Sequence, residues 1–480
     1  MLSKTHFKSI CGSIILGCMA ALTTPVMAAN DAMLELIDIM QKKGTLTKEE
    51  ADLLKSAAKA DNEANTEGQA EIANTAKTMP KIDTNGKLKF SSANGDFEWQ
   101  PIGRIMVDYN WINSDINKLG SQAEFRRARL GMEGTMWQHW IWKLEFDFAT
   151  GEADMKDGYV GYKDGDNWLK VGQQHVPFGF ATMSSSKYML FTERPLGAGD
   201  VLQPERRIGI AGFTAGSDYR WTFHTGLFAG PSGDDDDCLG TSFDECDESF
   251  TVAARGTFLP YMQDANHLVN IGAGVFYSVP QDSLVRVRQR PYFHVTEDRF
   301  VDANFGANGT GNNTGGLAAD NVLAVNAEAL LIYGPFSLGG EYTYWNVETD
   351  DAPGATTTTP NISFDGYYVE ASYFLTGESM VYSTKKAQYD KVSPNSVVGK
   401  GGWGAWQIVT RYDVLDLNDS DLAAGSGGEM RAIAAGLNWY VNQNMRFMAD
   451  FYKILDTDRP DNKYDNDEPY GVVVRGQVFW

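Results

Sequence analysis

From residue 97 to the C-terminus, apolar and polar side chains alternate with a period of two in segment after segment. The stretch 125–148, FRRARLGMEGTMWQHWIWKLEFDF, is the clearest. Its first half sets Arg127, Arg129, Glu133 and Thr135 against Ala128, Leu130, Met132 and Met136. Its second half sets Lys143, Glu145 and Asp147 against Trp142, Leu144, Phe146 and Phe148. That pattern predicts two strands and a tight turn. A charged face opposite an apolar, Trp-rich face fits a soluble sandwich poorly and fits a membrane barrel, apolar outward and polar inward.

Sixteen such segments are expected, at 97–111, 122–136, 140–149, 155–163, 168–175, 205–215, 220–229, 249–259, 267–279, 320–333, 336–347, 363–375, 404–416, 430–441, 445–455 and 470–480. The even number is what a single-chain bacterial barrel requires. Connections alternate short and long, which predicts periplasmic turns and external loops. The stretch 376–403 must be a long periplasmic excursion to keep the parity. The last strand places Val472, Val474, Val478 and Trp480 on one face and Arg475 and Gln477 on the other. The fold expected is all-β, a 16-stranded antiparallel transmembrane β-barrel at 97–480, behind a short helical or coiled-coil segment.

Upstream the period changes. Lys4 and Lys8 precede an apolar run, Ile10–Met19, and Val26-Met27-Ala28 offers a cleavage site, so 1–28 reads as a signal peptide. Acylation at Cys18 is a weaker alternative. Residues 29–60 carry helical periodicity, with Gly44 closing one helix and Thr47 to Glu50 forming a capping box for the next. We expect a periplasmic helical segment there, as a packing helix pair or a site of self-association. The polar residues 61–96 read as a linker. No run after the signal has 18 apolar residues, so no membrane-spanning helix is expected.

Composition narrows the class. The 480-residue chain carries a formal charge of −22, and loss of Lys4 and Lys8 takes it to −24, which argues against nucleic acid as a partner. Of four cysteines, Cys11 and Cys18 leave with the signal. Cys238 and Cys246 share one acidic loop in an oxidising compartment, so a local disulfide is the expectation and a metal site with Asp234 to Asp237 the alternative. No metal or other cofactor is expected. The basic and acidic residues assigned to the lumen roughly cancel, so most read as salt-bridged lining and selectivity must come from a constriction.

Two stretches qualify. The loop 176–204 holds Ser184, Ser185, Ser186 and Lys187, then Glu193-Arg194; hydroxyls and an ammonium can replace the hydration of an oxyanion. The segment Arg286-Val287-Arg288-Gln289-Arg290 puts three guanidinium groups on one side of an extended chain, about 6.6 Å apart at roughly 3.3 Å per residue. It reads equally as a solvated loop or a site for lipopolysaccharide phosphates. In the hairpin, Arg127 and Arg129 point inward, whereas Arg126 has the lipid-facing parity. It must therefore lie at the rim or on a bulge.

These stretches, with LELIDIMQKKGTLTKEEADLL, DGYVGYK, VGQQHVPFGF, SSSKYMLFTERPL, YYVEASYFLTGESMVY, GAWQIVTRYDVLDLND and LNWYVNQNMRFMADF, resemble the phosphate-selective porin O/P family of Gram-negative outer membranes over nearly the whole mature length. The resemblance implies a homotrimer of 16-stranded barrels whose third loop folds inward while arginines guide small anions to a narrow site. Arg126, Arg127, Ser185, Ser186, Lys187, Arg286, Arg288 and Arg290 would hold those roles, with Arg129 beside them.

The function expected is passive diffusion of anions, phosphate or a related oxyanion, through the outer membrane, in contact with its lipid and lipopolysaccharide. A weakly selective pore and a non-conducting structural or adhesive barrel are the alternatives. An enzyme is not expected. His139, His175, His224, His267 and His294 are the mature histidines, and none sits in a nucleophile motif such as G-x-S-x-G.

Overall fold

The computed structural model describes residues 24–84, 88–197, 201–229, 250–280, 284–303, 317–349, 361–422 and 424–480. The signal segment 1–23, and Asp234 to Asp237 with Cys238 and Cys246, lie outside these. The described chain forms a helical unit through Lys81 and a β unit that runs to Trp480.

In the helical unit, α1 spans Thr24–Lys42 and α2 spans Lys48–Thr78. Gly44, at φ +75°, turns the chain out of the first helix. The Thr47 hydroxyl accepts from the Glu50 amide while the Glu50 carboxylate accepts from the Thr47 amide, a complete capping box. Ile37, Ala51 and Ala58 are buried between the helices, and Lys55 pairs with Asp38 across them. Residues 61–78, expected as linker, are helix. Their many Ala, Glu and Gln residues hold helix propensity without an apolar stripe, so the polarity was legible and the helix was not.

The β unit is built from β1 Phe97–Asn113, β2 Gln122–Met136, β3 Trp140–Asp147, β4 Asp154–Asp164, β5 Asn167–His175, β6 Arg206–Ala215, β7 Trp221–Ala229 and β8 Phe250–Asp264. It continues with β9 His267–Val279, β10 Leu317–Tyr333, β11 Phe336–Thr349, β12 Ile362–Phe374, β13 Ala405–Asp416, β14 Glu429–Asn442, β15 Met445–Asp458 and β16 Tyr470–Phe479. Each pairs antiparallel with the next, and β16 pairs with β1 (Arg475 opposite Asp108), which closes the ladder. Every expected strand is present. Closure leaves no unpaired edge, as a hydrocarbon surround demands.

Side-chain placement inverts that of a soluble protein. Ile105, Val107, Leu130, Met132, Val160, Leu169 and Ile210 are exposed on the outer face, whereas Arg104, Asp108, Arg129, Glu145, Asp157 and Arg475 are buried on the inner one. At one end the strands join through short turns, which barrel architecture places at the periplasm. The exception there, 375–404, folds back inside: the Tyr382 hydroxyl donates to Asn270 at 2.8 Å, and Arg255 donates to the carbonyl of Ala387 at 2.8 Å.

Between Met106 and Val107 of β1 the register against β2 slips by one residue, so that Arg127 and Phe125 are paired and Arg126 is not. This bulge turns Arg126 off the lipid face. Its guanidinium grips Glu193 of the third loop with two bonds, 2.6 and 2.8 Å.

The third loop, 176–205, crosses the lumen and packs on the far wall. Glu341 of β11 accepts from the amides of Phe180 and Ala181, both at 2.7 Å. Asp450 of β15 accepts from Thr192 at 2.7 Å and Asp413 of β13 from Leu196 at 2.6 Å. Bonds to a charged acceptor contribute roughly 1.5–3 kcal/mol each, so the loop is held rigidly. Gly179 enters it at φ +68°, where a Cβ would collide with the Gln203 amide.

Candidate functional site: a cationic corridor

With the loop packed against β11 to β16, the open lumen lies along β1 to β8, in two chambers. The one toward the turn end holds about 650 Å³ and is lined by eleven Lys or Arg side chains and four carboxylates. The one toward the long-loop end holds about 400 Å³, with seven arginines and two carboxylates. Arg194 and Arg206 line both and mark the passage between them.

The corridor wall is a ladder of shared carboxylates. Arg104 reaches Glu145 at 3.0 Å, Arg129 reaches Asp147 at 2.8 Å and Glu145 at 3.7 Å, and Lys143 bridges Glu145 at 2.9 Å and Asp157 at 2.6 Å. Arg206 then takes the other oxygen of Asp157 at 2.9 Å. Fewer carboxylates than cations stand in the run, so each negative charge is divided and a net positive field remains. Low-dielectric walls focus that field on the water between them. Arg194 is tied to the carbonyls of Ala181 and Ser184 at 3.1 and 3.2 Å, so it is fixed by the loop it belongs to.

Of the residues singled out from sequence, Ser185 and Ser186 line the turn-end chamber and meet Arg104, whose Nη1 donates to them at 3.4 and 2.8 Å. Arg129 lines the same chamber, and Arg126, Arg288 and Arg290 line the other. Arg286 stands apart, paired with Asp302 at 2.9 Å. Arg127 is buried beside the Met106 sulfur and lines neither chamber. Lys187 also lines neither; its ammonium lies over the rings of Tyr188 and Phe479, and burial pushes it down to about 8.

Burial alone would raise the Glu193 carboxyl, but the charges of Arg126 and Arg475 outweigh it and hold the group well below the usual carboxylate range. It is a fixed anion under Arg126.

Arg104 and Arg206 were not among the site residues expected from sequence. Arg104 carried the inward parity without a partner to distinguish it. Arg206 sits beside inward-facing Arg207 at a strand start, where parity alone assigns it outward.

The sequence profile of the phosphate-selective porin O and P family matches residues 101–480. An uncharacterized protein of Caulobacter vibrioides is 30% identical over 418 residues, 84% of this chain and 77% of its own length. Porin O of Pseudomonas aeruginosa is 28% identical over 428 residues, 83% of this chain and 92% of its own length. Among solved structures, OmpT of Vibrio cholerae covers 80% of this chain and 98% of its own at 12% identity, with a TM-score of 0.48. The chain belongs to the phosphate-selective porin O and P family, and its barrel is a porin of the Gram-negative outer membrane.

Proposed function

We propose that the pore passes anions in preference to cations, with phosphate or a related oxyanion as the solute, and that the ladder Arg104, Arg129, Lys143 and Arg206 is where selection occurs. The observation that carries this reading is the excess of cations lining both chambers. An oxyanion entering from the long-loop end meets Arg288 and Arg290, then Arg126 and Arg194, and reaches Arg206. The Ser185 and Ser186 hydroxyls beside Arg104 can then replace part of its water shell. Arginine forks suit tetrahedral oxyanions better than chloride, since two parallel donors match two oxygens. The same family membership supports a homotrimer embedded among lipopolysaccharide, with 28 residues of signal removed.

The test is a planar bilayer holding the purified protein under a KCl gradient. Anion preference in the reversal potential, with phosphate reducing the chloride current, is expected. Cation preference would overturn the reading.

A further inference from the structure

We propose that the turn-end chamber contains a second subsite, for an anion with an aromatic body: an arylcarboxylate. It goes beyond the oxyanion path and rests on the pore being anion-selective.

Three rings stand in one row on the lumen side of adjacent strands. Trp168 of β5 is registered opposite Phe213 of β6, and Phe213 opposite His224 of β7. Trp168 and Phe213 stack at 5.6 Å and 8°, and His224 meets Trp168 edge-on at 4.9 Å and 78°. Two residues along β5, on the same face, Lys170 sets its ammonium 3.9 Å from the Trp168 ring centroid and 4.3 Å from that of Tyr159. All five side chains line the chamber.

Hydrated phosphate gains nothing from such a wall. Apolar surface facing a water-filled passage costs about 25 cal/mol per Å² that a polar lining would not. Lys170 also differs from its neighbours. Lys143 and Arg206 share Asp157, whereas Lys170 has no carboxylate within 4.0 Å among the described residues. The Nε2 of His224, in a residue only 6% exposed, is buried with no hydrogen-bond partner. An ammonium without a counter-ion beside a flat apolar shelf matches a solute with a carboxylate at one end and a ring at the other. The ring would extend the Trp168 and Phe213 stack, the carboxylate would take Lys170, and the chamber lies within the roughly 300–1,000 Å³ typical of small-molecule sites.

The probes are benzoate and acetate, which carry the same charge and differ in the ring. Each is titrated against the chloride current of the full-length protein in a planar bilayer. Benzoate is expected to half-block at about one-fifth the acetate concentration or less, the scale of an added aromatic pair. Trp168→Leu is expected to bring the two within about twofold, and Phe213→Leu to shrink the difference in the same direction. The single-channel KCl conductance of each variant certifies that it has folded and inserted. Equal block by the two probes in the wild-type protein, or discrimination that survives in both conducting variants, overturns the proposal. The wild-type reversal potential separates the two readings: cation preference overturns the anion pore itself, whereas anion preference without discrimination overturns only the aromatic subsite.

Discussion

At the scale of single residues, the corridor depends on which cations keep charge to spare. Arg206 shares Asp157 with Lys143 and stands where the two chambers meet. Replacing it with Gln removes one charge-assisted contact to a passing oxyanion, worth roughly 1.5–3 kcal/mol. The half-blocking phosphate concentration in Arg206→Gln is therefore expected to rise at least about tenfold. Glu193 acts in the opposite sense, because it occupies the fork of Arg126. Its folded carboxyl lies below its unfolded value, so the stability it contributes is present above the unfolded pKa of about 4.3 and is lost only as pH falls through the lower folded value. Single-channel conductance is expected to stay steady from pH 7 down to pH 4. Current noise in Glu193→Gln at pH 7 should already exceed that of the wild type at pH 4.

At the scale of elements, parity carried a long way and then stopped. The alternation of 125–148 fixed the inward direction of Arg129 and Lys143, and required either a rim or a bulge for Arg126. The bulge is what formed. The arginine row 286–290 was legible as three charges on one side of an extended segment, but its division was not: Asp302, distant in sequence, takes Arg286, while Arg288 and Arg290 face the chamber. The two kinds of arginine should part in a measurement. Changing Arg288 and Arg290 together to Ala is expected to shift the reversal potential toward non-selectivity, whereas Arg286→Ala leaves it near the wild-type value. Lys187 shows the same limit, since a loop position next to Ser186 says nothing about which way a lysine stem runs once Tyr188 and Phe479 offer it their faces.

At the scale of the whole molecule, closure is one cooperative property. The seam brings Trp480 against Gly103, whose amide donates to the Trp480 carbonyl at 3.3 Å. A Cβ at Gly103 would lie 2.3 Å from the indole. Gly103→Ala is expected to destabilise the barrel by roughly 1–3 kcal/mol, read as a lower temperature for the heat-induced mobility shift on gels.

The charge balance of the wall also belongs to this scale. Summed along the strands, inward cations and carboxylates nearly cancel. In space they separate: Glu341, Asp413 and Asp450 are spent on amides of the third loop, Asp108 and Glu370 on Arg475 and Arg411, and the cations of β1 to β5 face the water. The sequence by itself determined the barrel, its sixteen strands and the side of the wall on which each residue stands, because a period of two is a local property of an extended chain in contact with lipid. Where the third loop lies, and hence which inward charges meet an ion and which are consumed in holding the loop, only the tertiary structure decided. Hydrogen bonds between residues more than a hundred positions apart leave no periodicity to read.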